Sequence, residues 1–445
     1  MTATRSTLSG WGRYPRINVE LVPVRGEADV LAQIAKGPLI ARGNGRAYGD
    51  SALNPSGTLD MRGFNRMLAF DAASGQLVGE GGLLLSDIIA SFLPRGWFPH
   101  VTPGTKFVTL GGMLAADVHG KNHHREGGIG NFVDWVDLAC ADGTVRRCSL
   151  TENVELFAWT IGGMGLTGVI LRAAIRLRRV ETGWIRQTLV PAPDLASAME
   201  VFEKTQDATY SVAWIDCYAT GARRGRSVVM LGEHARYTEL PQDKRDNRFA
   251  MAKRREVTMP VNLPRGALNK LAVRFFNHAY YWAQRLKPPT DWVAWDNYFY
   301  PLDAILEWPR IYGRRGFTQF QCVLPHESAR SGLEAVLTAI SAGRSGSFLA
   351  VLKRLGAQGS GFSFPMPGYT LTLDFPLSGE TLALLDKLDE ITIGHGGRFY
   401  LAKDARMCAE TLARADHRTG AFRRFREKAH MTSHFRSAQS ERLAL

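Results

Sequence analysis

The chain has 445 residues, 45% of them hydrophobic and 22% charged, which is typical of a soluble globular protein too long for one hydrophobic core. Its formal net charge of +13 favours contact with phosphates, anionic lipid or nucleic acid, without choosing among them. Its five cysteines are scattered and form no CxxC pair, which argues against a zinc site or disulfide scaffold and fits a reducing compartment. Because the first residues lack an apolar signal core and no apolar run approaches the ~18 residues of a membrane span, we expect a cytoplasmic protein.

Residues 1–183 are predicted to form many short strands. Their apolar runs, separated by Gly, Ser and Asp turn signals, lie at 58–61, 67–70, 76–80, 133–140 and 145–150. The last two runs flank Ala-Asp-Gly-Thr, a strong hairpin signal. Ser86 and Asp87 precede apolar residues at helical spacing, so a capped helix is predicted there.

Three glycine-rich segments lie in this part of the chain, at 41–51, 102–124 and 162–168. Glycine lets the backbone approach a ligand closely, and successive N–H groups form a nest that suits an anion such as a pyrophosphate. The first segment does not match a Rossmann fingerprint. It has no glycine at the third position of the G-x-G-x-x-G spacing, and no helical pattern follows it. The segments therefore indicate a large, flat, phosphate-bearing ligand held by a different fold.

Residues 184–397 are predicted to alternate strands and helices. Apolar residues at helical spacing predict helices around 333–340 and 382–391, and apolar runs predict strands at 317–323, 348–352 and 369–375. We therefore expect an α+β fold in which helices cover one face of a sheet.

Residues 236–287 form a basic insertion, with twelve Lys or Arg against four Asp or Glu. Prolines punctuate it, and aromatic and aliphatic residues follow the charges. Two interpretations stay open: a solvated, partly helical insertion, or a mobile lid that meets a membrane surface.

Several motifs together resemble a known family. A glycine loop after an early strand, then PGT…GG…HG, then GGxGxxG before a strand, is similar to the vanillyl-alcohol-oxidase (PCMH) type of FAD-binding fold. The match is closer to the decaprenylphosphoryl-β-D-ribose 2′-oxidase family, through HGKNHH at 119–124, AYGD at 47–50, FPMPG at 364–368, DFP at 374–376 and YLAKD at 400–404. The resemblance runs from about residue 10 to the C-terminus. It implies an FAD-binding domain at 1–183, a substrate domain at 184–397 and a closing segment at 398–445 that completes the FAD domain.

The resemblance implies bound FAD. Some relatives attach FAD to a histidine in the first glycine loop, but Arg46 stands at that place here, so we expect non-covalent FAD. His119 and Lys121 are expected near the isoalloxazine ring, and no metal is expected, because His123 and His124 have no third ligand at a suitable spacing. The cofactor-binding positions implied are Arg42, Gly43, Asn44, Gly45, Arg46, Ala47, Tyr48, Gly49, Ser51, Pro103, Gly104, Thr105, Thr109, Gly111, Gly112, Ala115, His119, Gly120, Asn122, His123, Gly163, Gly165, Gly168, Val169 and Tyr400.

Lys403 is expected at the reaction centre with His119 and Lys121. A buried lysine with a lowered pKa would either orient the reacting hydroxyl or accept its proton, and both roles stay open. Asp404 beside it is expected to be a surface partner. Gln319 and Gln321 are two residues apart, so both side chains share one face of a strand and suit sugar hydroxyls. The substrate positions that the resemblance implies are Trp214, Tyr312, Gln319, Gln321, Lys353, Thr370, Thr372 and Lys403.

The chain departs from the family at one strand of this pocket. Thr372 stands where mycobacterial members carry a cysteine, and Thr370 takes the preceding asparagine position. The thiol is therefore not needed for the fold, and thiol-directed covalent inhibition is not expected.

The resemblance implies an FAD-dependent oxidoreductase that oxidises the 2′-hydroxyl of a polyprenyl-phosphoryl-β-D-ribose to the 2′-keto sugar, in arabinan synthesis for the cell wall. A separate short-chain reductase would complete the epimerisation, quinone or oxygen would accept the electrons, and the protein would sit peripherally at the inner membrane. The alternative is an aldonolactone or alditol oxidase of the same fold acting on a free sugar. Nucleic-acid binding is not expected, because the sequence has no RNP, zinc-finger or helix-turn-helix pattern.

Overall fold

A computed structural model describes residues 3–251, 254–264, 269–343, 347 and 349–445. In this part of the chain the architecture is α+β, with helices packed on mostly antiparallel sheets, as the sequence predicts. No helix among the described residues combines the length and the apolar character that crossing a membrane requires.

The first half of the chain forms two sheets around one hydrophobic core. Its strands are β1 (Thr4–Ser9), β2 (Arg16–Pro23), β3 (Ile40–Arg42), β4 (Thr58–Asp60), β5 (Met67–Asp71), β6 (Gln76–Glu80), β7 (Trp97–Pro99), β8 (Val133–Ala139), β9 (Val145–Ser149) and β10 (Val169–Arg179). Its helices are α1 (Glu27–Ile34), α2 (Leu85–Phe92), α3 (Leu110–Ala115), α4 (His123–Glu126) and α5 (Val154–Thr160). One sheet has the order β1-β2-β4-β3, and the other has the order β5-β6-β10-β8-β9 with β7 also paired to β10.

The predicted hairpin and helix of this half are both present, but the helix begins differently. Strands β8 and β9 pair antiparallel across the predicted turn. Helix α2 starts at Leu85 after Leu84, without a side-chain cap, so the expected cap at Ser86 or Asp87 is wrong. Leu85, Ile88, Ile89 and Phe92 are buried, which shows that packing of this apolar face, and not a cap, fixes the start of the helix.

The second half of the described chain is built on one eight-stranded sheet. Its strands are β11 (Trp184–Ala192), β12 (Tyr210–Ile215), β13 (Ser227–His234), β14 (Val257–Thr258), β15 (Thr290–Ala294), β16 (Ile305–Leu306), β17 (Phe317–Pro325), β18 (Ala350–Leu355), β19 (Gly368–Pro376) and β20 (Arg398–Phe399). The sheet has the order β15-β11-β13-β12-β18-β19-β17-β20, while β14 and β16 form a separate pair. The helices are α6 (Leu195–Lys204), α7 (Gln242–Arg245), α8 (Lys270–Arg285), α9 (Trp295–Phe299), α10 (His326–Ala342), α11 (Gly379–Gly394), α12 (Ala409–Ala415), α13 (Thr419–Lys428) and α14 (Ala438–Arg442). The predicted strand at 348–352 begins at Ala350, and Phe348 lies outside the described residues.

The two faces of the large sheet have different chemistry. On one face, apolar residues such as Phe320 and Leu371 join the core that α10 and α11 cover. Alternation along each strand sends the neighbouring residues to the opposite face. The register there aligns Gln321 with Thr372, Thr372 with Val351, and Val351 with Trp214 across four adjacent strands. The predicted substrate residues on β12, β18, β19 and β17 therefore share one face.

The last segment of the chain packs against the first glycine-rich segment. Leu39 forms a parallel bridge with Phe435, and the backbone of Ala438 donates to the carbonyl of Leu53. Arg442 of α14 forms ion pairs with Asp50 and Asp404, at 2.7 and 2.9 Å. This return brings the C-terminal helix to the first glycine-rich segment and to the residues on either side of it.

The basic insertion contains an ordered 16-residue helix, α8. Val273, Asn277 and Tyr281 are its buried residues and face the large sheet. Residues 252–253 and 265–268 lie outside the described part, and Lys253 is among them. Arg254 donates to the carbonyls of Asp296, Tyr300 and Pro301, so it anchors the chain and is not a free surface cation.

Candidate functional site

The three glycine-rich segments converge. Asn44 in the first donates from Nδ2 to the carbonyl of Phe107 in the second, at 2.8 Å. The backbone of Met164 in the third donates to the carbonyl of Ala115, at 2.7 Å. Gly43 is required by this approach, because a Cβ there would overlap Oγ1 of Thr109. One continuous cradle of loop backbone results.

The YLAKD segment closes the cradle from the other side. The Tyr400 hydroxyl donates to the carbonyl of Ala116 at 3.0 Å, and the backbone of Tyr48 donates to the carbonyl of Ala402 at 2.9 Å. A side chain at Gly49 would overlap the carbonyl of Asp404. Lys403 is thereby held against the first glycine-rich segment.

The cradle fits a polar, phosphate-bearing cofactor. Four of the buried polar atoms without a protein partner in the described chain lie in the second segment: Oγ1 of Thr102, Nδ1 of His119, Oδ1 of Asn122 and Nε2 of His123. Buried polar groups normally have partners, so this cluster points to a ligand such as FAD. A Cβ at Gly104 would meet open space, and this leaves the adjacent Pro-Gly turn accessible to that ligand.

Arg46, the residue that the resemblance aligns with the flavin-linking histidine of some relatives, is packed among aromatic rings. Its guanidinium carbon lies 4.1 Å from the ring centre of Trp11 and 5.4 Å from that of Phe107. Burial lowers the pKa of Arg46, yet the side chain keeps its cation–π contacts. Arg46 therefore takes a packing role in the cradle and supplies no nucleophilic nitrogen.

His119 connects the second glycine-rich segment to the large sheet. Its Nε2 lies 3.0 Å from Nε2 of Gln321, and because the amide nitrogen must donate, His119 Nε2 accepts and Nδ1 carries the proton. Gln321 also donates to Oγ1 of Thr370 at 3.2 Å. Desolvation first, and then the charges of Lys353, His123 and Lys403, hold the pKa of His119 well below its ordinary value. The ring is therefore neutral at physiological pH.

Lys403 lies against a buried polar network on the same sheet face. Its Nζ is 3.9 Å from the ring centre of Tyr48, whose hydroxyl accepts from Gln319 at 3.1 Å. Gln319 also donates to Asp374, and Asp374 accepts a second hydrogen bond from the Tyr312 hydroxyl at 3.2 Å. Burial raises the pKa of Asp374 to about 6. Lys403 and this fully buried carboxylate are therefore electrostatically linked.

Three lysines with lowered pKa values surround the site. Desolvation lowers the pKa of Lys403 to about 7, partly offset by Asp374. Desolvation also lowers the pKa of Lys353 to about 8 and, with repulsion from Lys353, that of Lys121 to about 7. Lys121 donates to the carbonyl of Tyr298 and lies 4.1 Å from the centre of its ring. An anionic ligand at this place would be stabilised by all three cations and would raise their pKa values.

The sequence interpretation missed Asp374 as a site residue. Thr370, Thr372 and Asp374 are two apart on β19, so period-two alternation places all three on the face that carries Gln319 and Gln321. Tyr298 was also missed, because its contact with Lys121 spans 177 positions and leaves no local signal.

Some predicted residues lie apart from this network or have another role. Trp214 is on the same face as Gln321 but three strands away, roughly 14 Å at the usual ~4.8 Å strand spacing. Gly168 packs against Leu138 and Ala139, where a Cβ would be 2.7 Å from the Ala139 carbonyl oxygen. Asp404 is buried and paired with Arg442, so the expectation of a surface partner is wrong.

Comparisons with known proteins agree with this geometry. Residues 28–149, which include the first two glycine-rich segments, match the FAD binding domain family. The chain is 32% identical to decaprenylphosphoryl-β-D-ribose oxidase of Mycolicibacterium smegmatis over 99% of this chain and 98% of that protein. It is 33% identical to a Streptomyces coelicolor protein from the mprA 5′ region, over 79% of this chain and 97% of that protein. It is 28% identical to mouse L-gulonolactone oxidase over only 30% of each chain.

Proposed function

Because this chain belongs to the decaprenylphosphoryl-β-D-ribose oxidase family of FAD-binding oxidoreductases, we propose that it oxidises the 2′-hydroxyl of a polyprenyl-phosphoryl-β-D-ribose to the 2′-keto sugar. The observation that carries the proposal is similarity to that oxidase along nearly the whole chain, glycine cradle and sheet face alike. The match to L-gulonolactone oxidase stops at about a third of the chain, so it supports only the shared fold and not a free-sugar substrate.

FAD is the cofactor, and when bound it supplies the acceptor for the hydride that leaves the carbon bearing the hydroxyl. The glycine-rich segments would hold it, with its pyrophosphate on their backbone N–H groups and its ring toward His119 and Lys121. Non-covalent binding is part of the proposal and is supported by Arg46 in its cation–π contacts with Trp11 and Phe107.

The residues of the chain would bind and orient the sugar. Gln321 and Thr370 present amide and hydroxyl groups on the sheet face, and Lys353 adds a cation there for the phosphate of the substrate. The neutral His119 ring can exchange hydrogen bonds without adding to the positive charge of the three lysines.

Lys403 would accept the hydroxyl proton. A pKa of about 7 leaves a large fraction of neutral amine at physiological pH, and a base must lose its proton before it can take one. The buried Asp374 would then stabilise the ammonium that forms, with its position fixed by Gln319 and Tyr312. Asp374 is in this sense a positioning residue, acting through Lys403.

Four finer features belong to the same proposal. The chain would divide into an FAD-binding domain at 1–183, a substrate domain at 184–397 and a closing segment at 398–445. The assignment of the closing segment to the FAD domain is supported by Arg442, which pairs with both Asp404 and Asp50. A short-chain reductase would reduce the keto sugar to the arabinose epimer in arabinofuranose-donor synthesis. Quinone or oxygen would accept the electrons, and the protein would associate peripherally with the inner face of the membrane.

Anaerobic mixing tests the function. The FAD-loaded protein should lose its flavin absorbance with polyprenyl-phosphoryl-ribose and keep it with free ribose or an aldonolactone. Bleaching by the free sugars alone would overturn the proposal in favour of a free-sugar oxidase.

Acid precipitation should release all yellow colour into the supernatant, and colour retained in the pellet would contradict non-covalent binding.

A further inference from the structure

The outer face of α8 is a stripe of exposed apolar side chains. Leu271, Phe275, Trp282 and Leu286 are 78, 77, 43 and 84% exposed. They follow at intervals of four or seven residues, which places them along one side of a helix. Nine of the thirteen large hydrophobic side chains that are exposed in the described chain lie between Tyr237 and Leu286. So concentrated a surface marks an interaction site and not scattered exposure.

The opposite face of α8 is fixed to the large sheet. Asn277 donates from Nδ2 to Oδ1 of Asp216 at 2.8 Å, and the other oxygen of Asp216 pairs with Arg226 at 2.8 Å. All three side chains are buried. Rotation of the helix to hide its stripe would separate Asn277 from a buried carboxylate, at the cost of an unsatisfied polar group. The stripe is therefore held outward.

Positive charge borders the stripe. Arg274 and Arg285 lie along one edge of it by helical periodicity, and Lys287 follows the helix end. The segment from Lys270 to Lys287 contains no acidic residue. An apolar strip edged by cations complements an anionic lipid surface, in which acyl chains lie under charged headgroups.

The inner edge of α8 also reaches the face of the sheet that carries the candidate site. The Tyr280 ring centre is 4.7 Å from that of Trp214, and the register places Trp214 in one row with Thr372 and Gln321. Helix α8 is therefore a wall between the exterior and the substrate face.

We propose that α8 is an interfacial helix whose outer stripe docks the protein on an anionic membrane. Docking would let a membrane-held lipid phosphate present its sugar to the sheet face while its tail stays in the bilayer. That second statement rests on the proposed function, but the docking itself does not.

Flotation of the full, FAD-loaded chain with vesicles tests the docking. Vesicles of phosphatidylcholine alone are compared with vesicles that also contain phosphatidylglycerol, at low and high salt. The wild-type protein should float with the anionic vesicles, more weakly at high salt because screening reduces the contribution of the arginines. Phe275→Ser with Leu286→Ser should lower the bound fraction at least tenfold, and Arg274→Gln with Arg285→Gln should reduce it mainly at low salt. Leu150→Ser is the matched control, because Leu150 is 74% exposed and distant in sequence from α8.

Two further readouts separate the possible outcomes. FAD content should be equal in all variants, since the changed side chains are exposed. Flavin reduction by a soluble short-chain phosphoribose should also be unchanged. Reduction without any flotation would remove the docking proposal, together with the peripheral membrane association, and would leave the proposed reaction standing. Flotation without reduction would remove the proposed reaction and leave the docking. A wild-type dimer that does not float, and that Phe275→Ser with Leu286→Ser converts to a monomer, would show that the stripe covers a second copy and would overturn lipid docking.

Discussion

Lys403 and Asp374 show what burial does to the pKa values of two opposite charges that interact. Desolvation lowers the pKa of the lysine and raises that of the carboxyl, and their mutual attraction opposes both shifts. The two values approach each other near neutral pH, where proton transfer is most efficient. This arrangement supports the proposed role of the lysine amine as proton acceptor.

Replacement of Lys403 by Ala should leave FAD bound and slow flavin reduction by about 10²–10⁴-fold, the usual contribution of a general base. The FAD content is expected to persist because the cradle is built from the glycine-rich backbone. Stopped-flow reduction under anaerobic conditions measures the rate. Lys387→Ala, at an exposed position of α11, is the control, and a near wild-type rate for Lys403→Ala would refute the assignment.

The reduction rate at limiting substrate should rise with pH through about 7, because the neutral amine of Lys403 is the reactive form. Asp374 raises the pKa of Lys403, so its neutralisation in Asp374→Asn should move the inflection to lower pH. The second-order reduction rate is measured from about pH 5.5 to about pH 9, a range that extends to both sides of a pKa near 7. An inflection unchanged by Asp374→Asn would assign the titration to another group, with Lys121 next to test.

Strand alternation was enough to place Gln319 and Gln321 on one face, and the register shows that Thr372 lies on that face too. The same alternation could have placed Asp374 on this face. It could not have predicted the burial of Asp404, because its partner Arg442 lies 38 residues further along the chain. Arg254 likewise lies in a basic run, yet three carbonyls some 42 to 47 residues away accept its hydrogen bonds. Long-range pairing of charges leaves no periodic trace in the sequence.

At the scale of elements, the glycine-rich segments form a single unit because their backbones touch. The sequence indicated a ligand nest from composition alone, but not which glycine allows the contact between segments. The start of α2 at Leu85 is a second case in which packing matters more than the local sequence. Burial of its apolar face fixes where the helix begins, and the local capping signal at Ser86 and Asp87 does not.

Gly43→Ala should weaken FAD binding. The new Cβ would overlap Oγ1 of Thr109, whose hydroxyl also accepts from the backbone of Gly112 at 3.3 Å and caps α3. Overpacking of this kind costs about 1–3 kcal/mol, so FAD affinity should fall roughly tenfold or more. Titration of the apoprotein with FAD measures the change.

Gly379→Ala is the matched control for that experiment. Its Cβ would meet no atom within 4 Å, so both stability and FAD affinity should be retained. If Gly43→Ala binds FAD as tightly as this control does, the contact between the first two segments is not what shapes the cradle.

At the scale of the whole molecule, the C-terminal helix returns to the first glycine-rich segment beside the site. Arg442 pairs with Asp50 of the first glycine-rich segment and with Asp404 next to Lys403, and both carboxylates are at least 93% buried. Burial raises the pKa of Asp50, while the nearby guanidinium of Arg442 lowers it. One arginine thus holds together the glycine-rich cradle, the segment that carries Lys403 and the C-terminal helix.

Arg442→Met should therefore lower both stability and FAD content. It leaves two buried carboxylates without their cation, and breaking a buried pair costs about 3–5 kcal/mol, somewhat less here because Arg442 is 24% exposed. Arg436→Met is the control, since its pair with Glu441 is exposed on both sides and such pairs contribute about 0–1 kcal/mol. Thermal unfolding with and without added FAD is the measurement. Excess FAD should recover part of the loss in Arg442→Met, because a ligand that binds only the folded state stabilises it by mass action. Equal melting temperatures for the two variants would mean that the C-terminal return does not support the cradle.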